Sequence, residues 1–452
     1  MTRYCYALIG MLLLVACNEN TPSANAEVSP DGVDYTLVHL PGHNLVSIQV
    51  AWATDWAYRT DVNQAAPYIG SELILAGGAD GFAAGDVTER FADIDAVGYL
   101  NPTVDHVLGD LTFPKEHLTE ALEIANAHLQ APSLDETWFT RIRDVVSQNM
   151  TEARTRPAHL GFDAVRWAVF GTQSVRNALS LDDPDMFDSI TSDDVGAWHG
   201  ETFSRNPTAI VIAGDLDSAT AGQAIDALLN DLPDNTAPPL GTVEPDFTPR
   251  RILLHIPDAQ VTNLAFIAPI PATRLGGEWD DHIIALALGG GDQSVLFEAV
   301  RTGLRASYGY NAGLNNYTRE HRLMFMTGEI ETAKLADAED IILQAYAGFL
   351  EVGPTGDVEA RKSLLATNLA RLTEYVTDQA ASELQSQLDG FAPGRSLKLI
   401  EELSLVSEVS IAERLASAFP SEAEFIVIAV SPDKTALPGA CVITTSEDAV
   451  NC

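Results

Sequence analysis

Two short sequence matches at one fixed offset indicate that the chain contains an internal duplication. The segment "LVHLP", which begins at Leu37, recurs as "LLHIP" from Leu253, and "AIVIAGDLD" from Ala209 recurs as "FIVIAVSPD" from Phe425. The offset is 216 residues in both cases, and two separate matches at one offset are difficult to obtain by chance. We therefore expect two copies of one structural unit within the 452 residues.

Each copy combines strands and helices in mixed order. Each opens with apolar strands, continues through long amphipathic segments and closes on an apolar strand. The segments that begin at Lys115 and Ala333, "KEHLTEALEIANAHLQ" and "AKLADAEDIILQAYAGFLE", show the periodicity of helices. Because strands and helices do not alternate regularly, we predict an α+β fold. In each half, helices are expected to cover one face of a mostly antiparallel sheet.

A proline-rich segment separates the two copies. The stretch "DLPDNTAPPLGTVEPDFTPR" contains five prolines in twenty residues, which is typical of a linker. The predicted division of the chain is a signal peptide (1–17), a polar tether (18–33), a first half (34–232), the linker (233–249), a second half (250–440) and a tail (441–452).

The N-terminus is typical of a secretory signal. Arg3 precedes an apolar run that is too short for a stable membrane span. The run ends in Leu-Val-Ala-Cys, which resembles the lipoprotein box of bacteria, so Cys17 is the predicted lipid-bearing residue. A plain signal peptide with an incidental cysteine is the alternative. We expect a lipid-anchored periplasmic protein, and Asn18 after the cysteine favours the outer membrane.

Composition narrows the class of partner. The net charge is −38, with 64 acidic and 26 basic residues, which argues against nucleic-acid binding. General solubility, a salty habitat or a cationic partner could each account for this acidity. Beyond Cys17 the cysteines are Cys441 and Cys452, which could close a small disulfide loop in an oxidising compartment or remain free thiols.

The most informative motif begins at Leu286, in "LALGGGDQSVLFEAVRTGLRASYGYNAG". A glycine cluster precedes an expected amphipathic helix over residues 294–302, and Tyr308 follows Arg301 by seven residues. This segment resembles the C-terminal half of the pitrilysin/insulinase family of zinc peptidases, which includes the mitochondrial processing peptidases. The family pattern there is roughly "LGGGxSSRLFxxLREKRGLAYS". The matching residues are Leu288, Gly289, Gly290, Gly291, Ser294, Leu296, Phe297, Arg301 and Tyr308.

The resemblance implies a role for the arginine and the tyrosine. In the family, these two residues reach the zinc site of the other half or of a partner subunit, where they hold the substrate and stabilise the oxyanion. A guanidinium and a phenol O–H are both donors suited to a carbonyl oxygen that gains negative charge. The alternative is that Arg301 caps its helix and Tyr308 packs against a strand.

The resemblance also locates a zinc site that has lost its ligands. The family carries His-x-x-Glu-His on a helix of the first half and a further glutamate downstream. In that register Tyr68 and Glu72 replace the histidines, Ser71 replaces the catalytic glutamate, and Asn149 replaces the downstream ligand. A phenol, one carboxylate and an amide hold zinc poorly, and a serine does not take a proton from water near neutral pH. We therefore expect neither a catalytic residue nor a bound cofactor at this site, although a metal site built from distant residues is an alternative.

The resemblance implies a non-catalytic, substrate-binding subunit of a heteromeric periplasmic zinc peptidase that acts on peptides. The expected partner is a homologous subunit that has an intact His-x-x-Glu-His motif and binds the zinc. In the family, an extended peptide adds to an edge strand of the first half, where this chain has Pro102. Because proline lacks a backbone donor, we expect weaker strand addition there. A scaffolding protein and an independent peptide-binding lipoprotein are the alternatives.

Overall fold

The computed structural model describes residues 21–181, 183–307, 309–354 and 358–452, so Cys17 and Tyr308 lie outside the described residues. Within these ranges each half contains a six-stranded mixed sheet with helices, which confirms the predicted α+β class. The strands are β1 (Ser23–Val28), β2 (Asp34–His39), β3 (Leu45–Ala53), β4 (Val97–Pro102), β5 (His106–Pro114), β6 (Ala209–Gly214), β7 (Arg251–His255), β8 (Thr262–Ile270), β9 (Asn311–Asn316), β10 (Arg322–Ile330), β11 (Ile426–Ser431) and β12 (Cys441–Ile443).

The helices are distributed over both halves. They are α1 (Ala66–Ala76), α2 (Val87–Asp93), α3 (Leu118–Gln130), α4 (Glu136–Ala153), α5 (Pro157–Phe170), α6 (Ser174–Ser180), α7 (Pro184–Ser189), α8 (Ser192–Thr202), α9 (Ser218–Leu228), α10 (Glu278–Gly289), α11 (Val295–Phe297), α12 (Leu335–Val352), α13 (Val358–Leu372), α14 (Val376–Leu388), α15 (Leu399–Ser404) and α16 (Glu408–Ala418). The two segments predicted to be helical from their periodicity contain α3 and α12.

The two sheets repeat one strand order. The first runs β1-β2-β6-β3-β5-β4 and the second runs β12-β7-β11-β8-β10-β9. The duplicated sequence segments form the inner strands β2 and β6 in one sheet and β7 and β11 in the other, each pair parallel. A ring nitrogen of His39 lies 3.0 Å from the carbonyl oxygen of Leu216, and one of His255 lies 3.1 Å from that of Pro432. These contacts are equivalent in the two halves, so both histidines are structural.

One of the two edge strands of each sheet comes from a segment outside the predicted halves. Ser23–Val28 pairs antiparallel with β2, so six residues of the segment expected to be a polar tether (18–33) form an edge strand. Its side chains are exposed or half-buried, and backbone pairing at a sheet edge does not require an apolar pattern. Cys441–Ile443 pairs parallel with β7, so the predicted tail begins as part of the second sheet.

Helix α1 is fixed against the body of the first half by close packing. Its residues Ile69 and Leu73 are fully buried in the core of that half. A Cβ atom placed on Gly70 would lie 2.5 Å from the ring of Trp198 in α8, so the glycine permits the close approach of the two helices. The position of α1 is therefore set by the core.

Each half also contributes one helix to the other half. Val165 and Ala168 of α5 belong to a buried cluster with Ile428 of the second sheet. Ala380 and Leu384 of α14 belong to a buried cluster with strands of the first sheet. Each sheet therefore has helices on its second face in addition to those on the face that the sequence predicts. The exchange of α5 and α14 fastens the halves together.

The linker and the C-terminal segment lie against this shared cluster. Residues 233–249 form no regular element, and Val243 and Phe247 pack against the cluster that contains α5. A disulfide joins Cys441 to Cys452, with their Cα atoms 5.9 Å apart. Across the described ranges, none of the helices has both the length and the apolar character needed to cross a membrane.

Candidate functional site: a groove beside helix α1

A groove runs between helix α1 and the free edge of strand β4. Its volume is about 710 Å³, and its walls are formed by α1, α2, β4 and Trp138 of α4. All of the residues that line it belong to the first half. Since β4 is the last strand of its sheet, its outer edge has no partner strand within the described residues.

The groove is mostly apolar. Leu75, Phe91 and Leu100 contribute to its wall. Along the strand, the side chains of Val97 and Tyr99 are 58% and 51% exposed. An exposed apolar edge strand of this kind is a surface to which another extended chain can pair.

The backbone groups of β4 that face the groove follow from its pairing with β5. The N–H of Thr103 donates to the carbonyl oxygen of His106 at 2.7 Å, so that residue faces β5. Because alternate residues of an antiparallel strand face the same neighbour, Gly98, Leu100 and Pro102 face the groove. Gly98 and Leu100 therefore present N–H donors to the groove, and Pro102 does not.

The side chains at the former ligand positions of α1 are committed to other contacts. The Tyr68 hydroxyl donates to the carbonyl oxygen of Ala178 at 2.5 Å, and burial raises the pKa of this phenol. The Ser71 hydroxyl donates to the carbonyl oxygen of Pro67 at 2.6 Å. Glu72 is exposed and lines the groove. The two hydroxyls therefore hold the helix and its neighbour in place, and Glu72 supplies the carboxylate of this wall.

The fourth position lies on the neighbouring helix. Asn149 is exposed on α4, which packs against α1. One free carboxylate, one exposed amide and two hydroxyls bound to carbonyl oxygens do not fit the ligand set of zinc. Among the described residues, no group of three or more histidine, cysteine, aspartate or glutamate side chains has an arrangement that could hold a metal ion.

The arginine of the second-half motif lies away from this groove wall. Arg301 is exposed on a π-helical stretch, Glu298–Leu304, that continues α11, where the sequence predicts an ordinary amphipathic helix. π-Helical turns are frequent at functional sites. Arg301 is not among the groove-lining residues, so the structure does not bring it together with Tyr68, Ser71 and Glu72 in this wall.

The glycine cluster of the motif has a packing role. A Cβ atom placed on Gly289 would lie 2.0 Å from the backbone nitrogen of Ala312 in β9. The glycine therefore allows the end of α10 to touch the edge strand of the second sheet. Gly291 has φ +104°, a backbone conformation that favours glycine.

Sequence reasoning missed the apolar wall of the groove. Trp138 is half-buried at its rim, and the guanidinium of Arg141 lies 4.8 Å from the centre of its ring. Trp138 lies one helical turn from the buried Ile142 on the apolar face of α4, so it resembles a core residue in the sequence. Leu75 and Phe91 gave no signal either, because they resemble core residues of their own helices.

Comparisons with known proteins agree with this fold. Residues 189–388 match the family model described as the peptidase M16 inactive domain. The chain is similar to the crystal structure of a peptidase M16 inactive domain from Pseudomonas fluorescens, with a TM-score of 0.79 and 15% identity over 91% of this chain and 98% of that one. A protease from Helicobacter pylori gives a TM-score of 0.75 and 13% identity over 91% and 100% of the two chains. No curated protein matches the chain.

A periplasmic protease also shares the fold. The chain covers half of the periplasmic protease PqqL from Escherichia coli, with a TM-score of 0.70 and 14% identity over 95% of this chain and 50% of that one. The fold is therefore that of the M16-type peptidases. The match over residues 189–388 and the fold together confirm the predicted resemblance to the pitrilysin/insulinase family.

Proposed function

We propose that this chain is a non-catalytic, peptide-binding subunit of a periplasmic zinc peptidase whose other subunit is homologous and has an intact His-x-x-Glu-His motif. The groove beside α1 is the observation that carries the proposal. It retains an open apolar wall and a free strand edge, while Tyr68, Ser71, Glu72 and Asn149 do not form a zinc site.

Peptide binding in this proposal uses the backbone of β4. An extended peptide adds as a further strand and accepts hydrogen bonds from the N–H groups of Gly98 and Leu100. The pairing ends near Pro102, which has no N–H. The apolar wall holds alternate side chains of the peptide, because successive side chains of a strand point to opposite faces.

Hydrolysis in this proposal occurs at the partner. The partner's zinc, when bound, activates water and polarises the scissile carbonyl. Arg301 and Tyr308 of this chain donate hydrogen bonds to the same carbonyl as it gains negative charge. Each subunit is therefore inactive alone.

The proposed location is the bacterial periplasm, with a lipid anchor at Cys17 in the outer membrane. The signal-like N-terminus supports export. The disulfide between Cys441 and Cys452 is also typical of an oxidising compartment.

Co-expression with the partner tests the shared site. The partner is taken as the chain of the same genome, preferably encoded next to this one, that has this fold and the intact motif. Zinc content and peptide hydrolysis are measured for each chain alone and for the pair. We expect hydrolysis by the pair and none by this chain alone. Arg301→Ala and Tyr308→Phe should each lower kcat of the pair about 100-fold.

The control is Arg371→Ala, which removes the same charge from an exposed position on α13. It should leave kcat of the pair unchanged. Full activity of the Arg301→Ala pair would contradict the shared site. Chelator-sensitive hydrolysis by this chain alone would contradict the non-catalytic assignment.

The second candidate is a peptide-binding lipoprotein that works without a peptidase partner. It is favoured by the groove, whose lining residues all come from the first half of this chain. The third is a scaffolding protein, in which the groove binds no peptide.

A groove-filling variant separates binding from scaffolding. Ala92 is exposed on α2 and lines the groove, so Ala92→Trp should fill it without disturbing the core. We expect the affinity for an extended peptide to fall at least about 10-fold. Asp93→Trp adds the same side chain at an exposed position that does not line the groove, and it should bind as the wild type does. Equal affinity of all three proteins would exclude binding in this groove.

A further inference from the structure

Of the described residues that line the groove, Glu72 alone has a charged side chain. It is exposed, and it makes no hydrogen bond or ion pair with another described residue. The neighbouring acids of α2, Glu89 and Asp93, are exposed but do not line the groove. The position that would hold a zinc ligand in the family therefore presents a free carboxylate to whatever occupies the groove.

No basic side chain lines the groove within the described part of the chain. Arg141, which lies over the Trp138 ring, is outside the lining. The whole chain has a net charge of −38, so the field around the groove adds to that of Glu72. An acidic peptide is repelled by this surface, whereas a basic side chain placed beside Glu72 gains an ion pair.

The apolar residues lie on the same wall as the carboxylate. Leu75 and Glu72 both lie on α1 and both line the groove, and Phe91 of α2 lies beside them. Under the β4 edge lies a small apolar cavity of about 40 Å³, which is bounded by Leu75, Phe91, Trp52 and Gly98. Side chains two positions apart on an extended peptide point to the same face. One peptide can therefore place one side chain beside Glu72 and another against the apolar residues.

We infer that the groove selects extended peptides with a basic side chain flanked, two positions away, by aliphatic side chains, and that Glu72 is the residue that recognises the basic group. This inference rests on the proposed peptide binding and adds the chemical class of the peptide. The loss of the zinc ligand at this position thus produces a specificity determinant.

The test uses three dye-labelled, capped peptides, Ser-Gly-Val-Thr-X-Thr-Val-Gly-Ser, in which X is lysine, glutamine or glutamate. Their dissociation constants are measured by fluorescence anisotropy with the full-length protein at low and at physiological salt. The wild type should bind the lysine peptide most tightly and the glutamate peptide most weakly. Glu72→Gln should reduce the ratio of the two affinities about threefold to fivefold, and Glu72→Lys should favour the glutamate peptide.

Glu89→Gln is the matched control, because it removes the same charge from an exposed site outside the groove. It should leave the ratio unchanged. If Glu72→Gln also leaves the ratio unchanged, or if Glu89→Gln lowers it equally, overall charge sets the preference and the inference is overturned. If none of the three peptides binds at any concentration tested, the proposed peptide binding itself fails.

Discussion

The two halves use equivalent helices for different purposes. Helices α1 and α10 occupy the same place in the repeated order of elements. The carboxylate of Asp281 on α10 is fully buried and accepts hydrogen bonds from Arg322 and Arg414 at 2.7 to 2.8 Å. The carboxylate of Glu72 on α1 is exposed and faces the groove. In the second half a carboxylate of this helix therefore belongs to the packed interior, whereas in the first half a carboxylate of the equivalent helix faces the groove.

The neighbouring edge strands show what the two halves share. In the second half Gly289 brings the end of α10 into contact with β9. In the first half α1 likewise contacts β4, and its exposed Glu72 lines the groove that opens beside this strand. Duplication gives one scaffold twice, and the side chains on the repeated helix differ between the two copies.

The largest expected effect is a loss of folding stability when the buried carboxylate of α10 in the second half is removed. Asp281→Ala leaves two arginines near a site from which their shared carboxylate has been removed. We expect a loss of about 3–5 kcal/mol in the free energy of unfolding, measured by urea denaturation. Glu72→Ala, the equivalent test on α1, should change stability by less than about 0.5 kcal/mol. Equal losses in the two variants would mean that the two helices do not differ as described.

A smaller effect is expected at the outer sheet edges. The disulfide between Cys441 and Cys452 fastens β12 to the segment after it, whereas β1 contains no cysteine. Replacing both cysteines by serine should cost about 2–3 kcal/mol, because the closed loop is short. Hydrogen exchange should then show faster opening of β12 than of β1. Unchanged exchange in β12 would show that the disulfide does not hold this strand.

The smallest expected effect concerns pH and falls mainly on the first half. Burial lowers the pKa of His106, His128 and His199 there, and that of His321 in the second half. A histidine whose pKa is lower in the folded chain binds more protons when unfolded. Stability is therefore lost as the pH falls below about 6.5.

Hydrogen exchange at pH 7.5 and pH 5.5 measures this effect by region. The amides of the first half should lose more protection on acidification than those of the second. His199→Gln, which can retain a hydrogen bond to the carbonyl oxygen of Leu129, should reduce the difference. A larger loss in the second half would contradict the assignment.

The inner architecture was predictable because it depends on local apolar pattern. The repeated segments form strands that are buried on both faces of their sheets. One pair of segments begins at Leu37 and Leu253, and the other begins at Ala209 and Phe425. Sequence is most restricted in strands of this kind. The strand at Ser23–Val28 was missed, because its backbone pairs at an edge while none of its side chains is fully buried. The exchange of α5 and α14 was missed for another reason: periodicity identifies an apolar face but does not show which sheet the face covers.

The candidate site was predictable only in part. The motif register predicted that Tyr68, Ser71 and Glu72 share one helix, and the structure places all three on α1. The motif register gave no indication of the groove, because the wall of the groove combines residues of four elements that are distant in sequence. Tyr308 lies outside the described residues, so its role remains a proposal.

The central claim is that the groove binds peptides and that the isolated chain does not cleave them. Its most direct test measures peptide binding and peptide cleavage on one sample. The isolated chain is titrated with the capped lysine peptide, and the same mixture is then followed by mass spectrometry for cleavage in the presence and absence of zinc. We predict saturable binding, loss of binding in Ala92→Trp, and an intact peptide under both conditions. Zinc-dependent cleavage, or binding that Ala92→Trp leaves unchanged, would contradict this account.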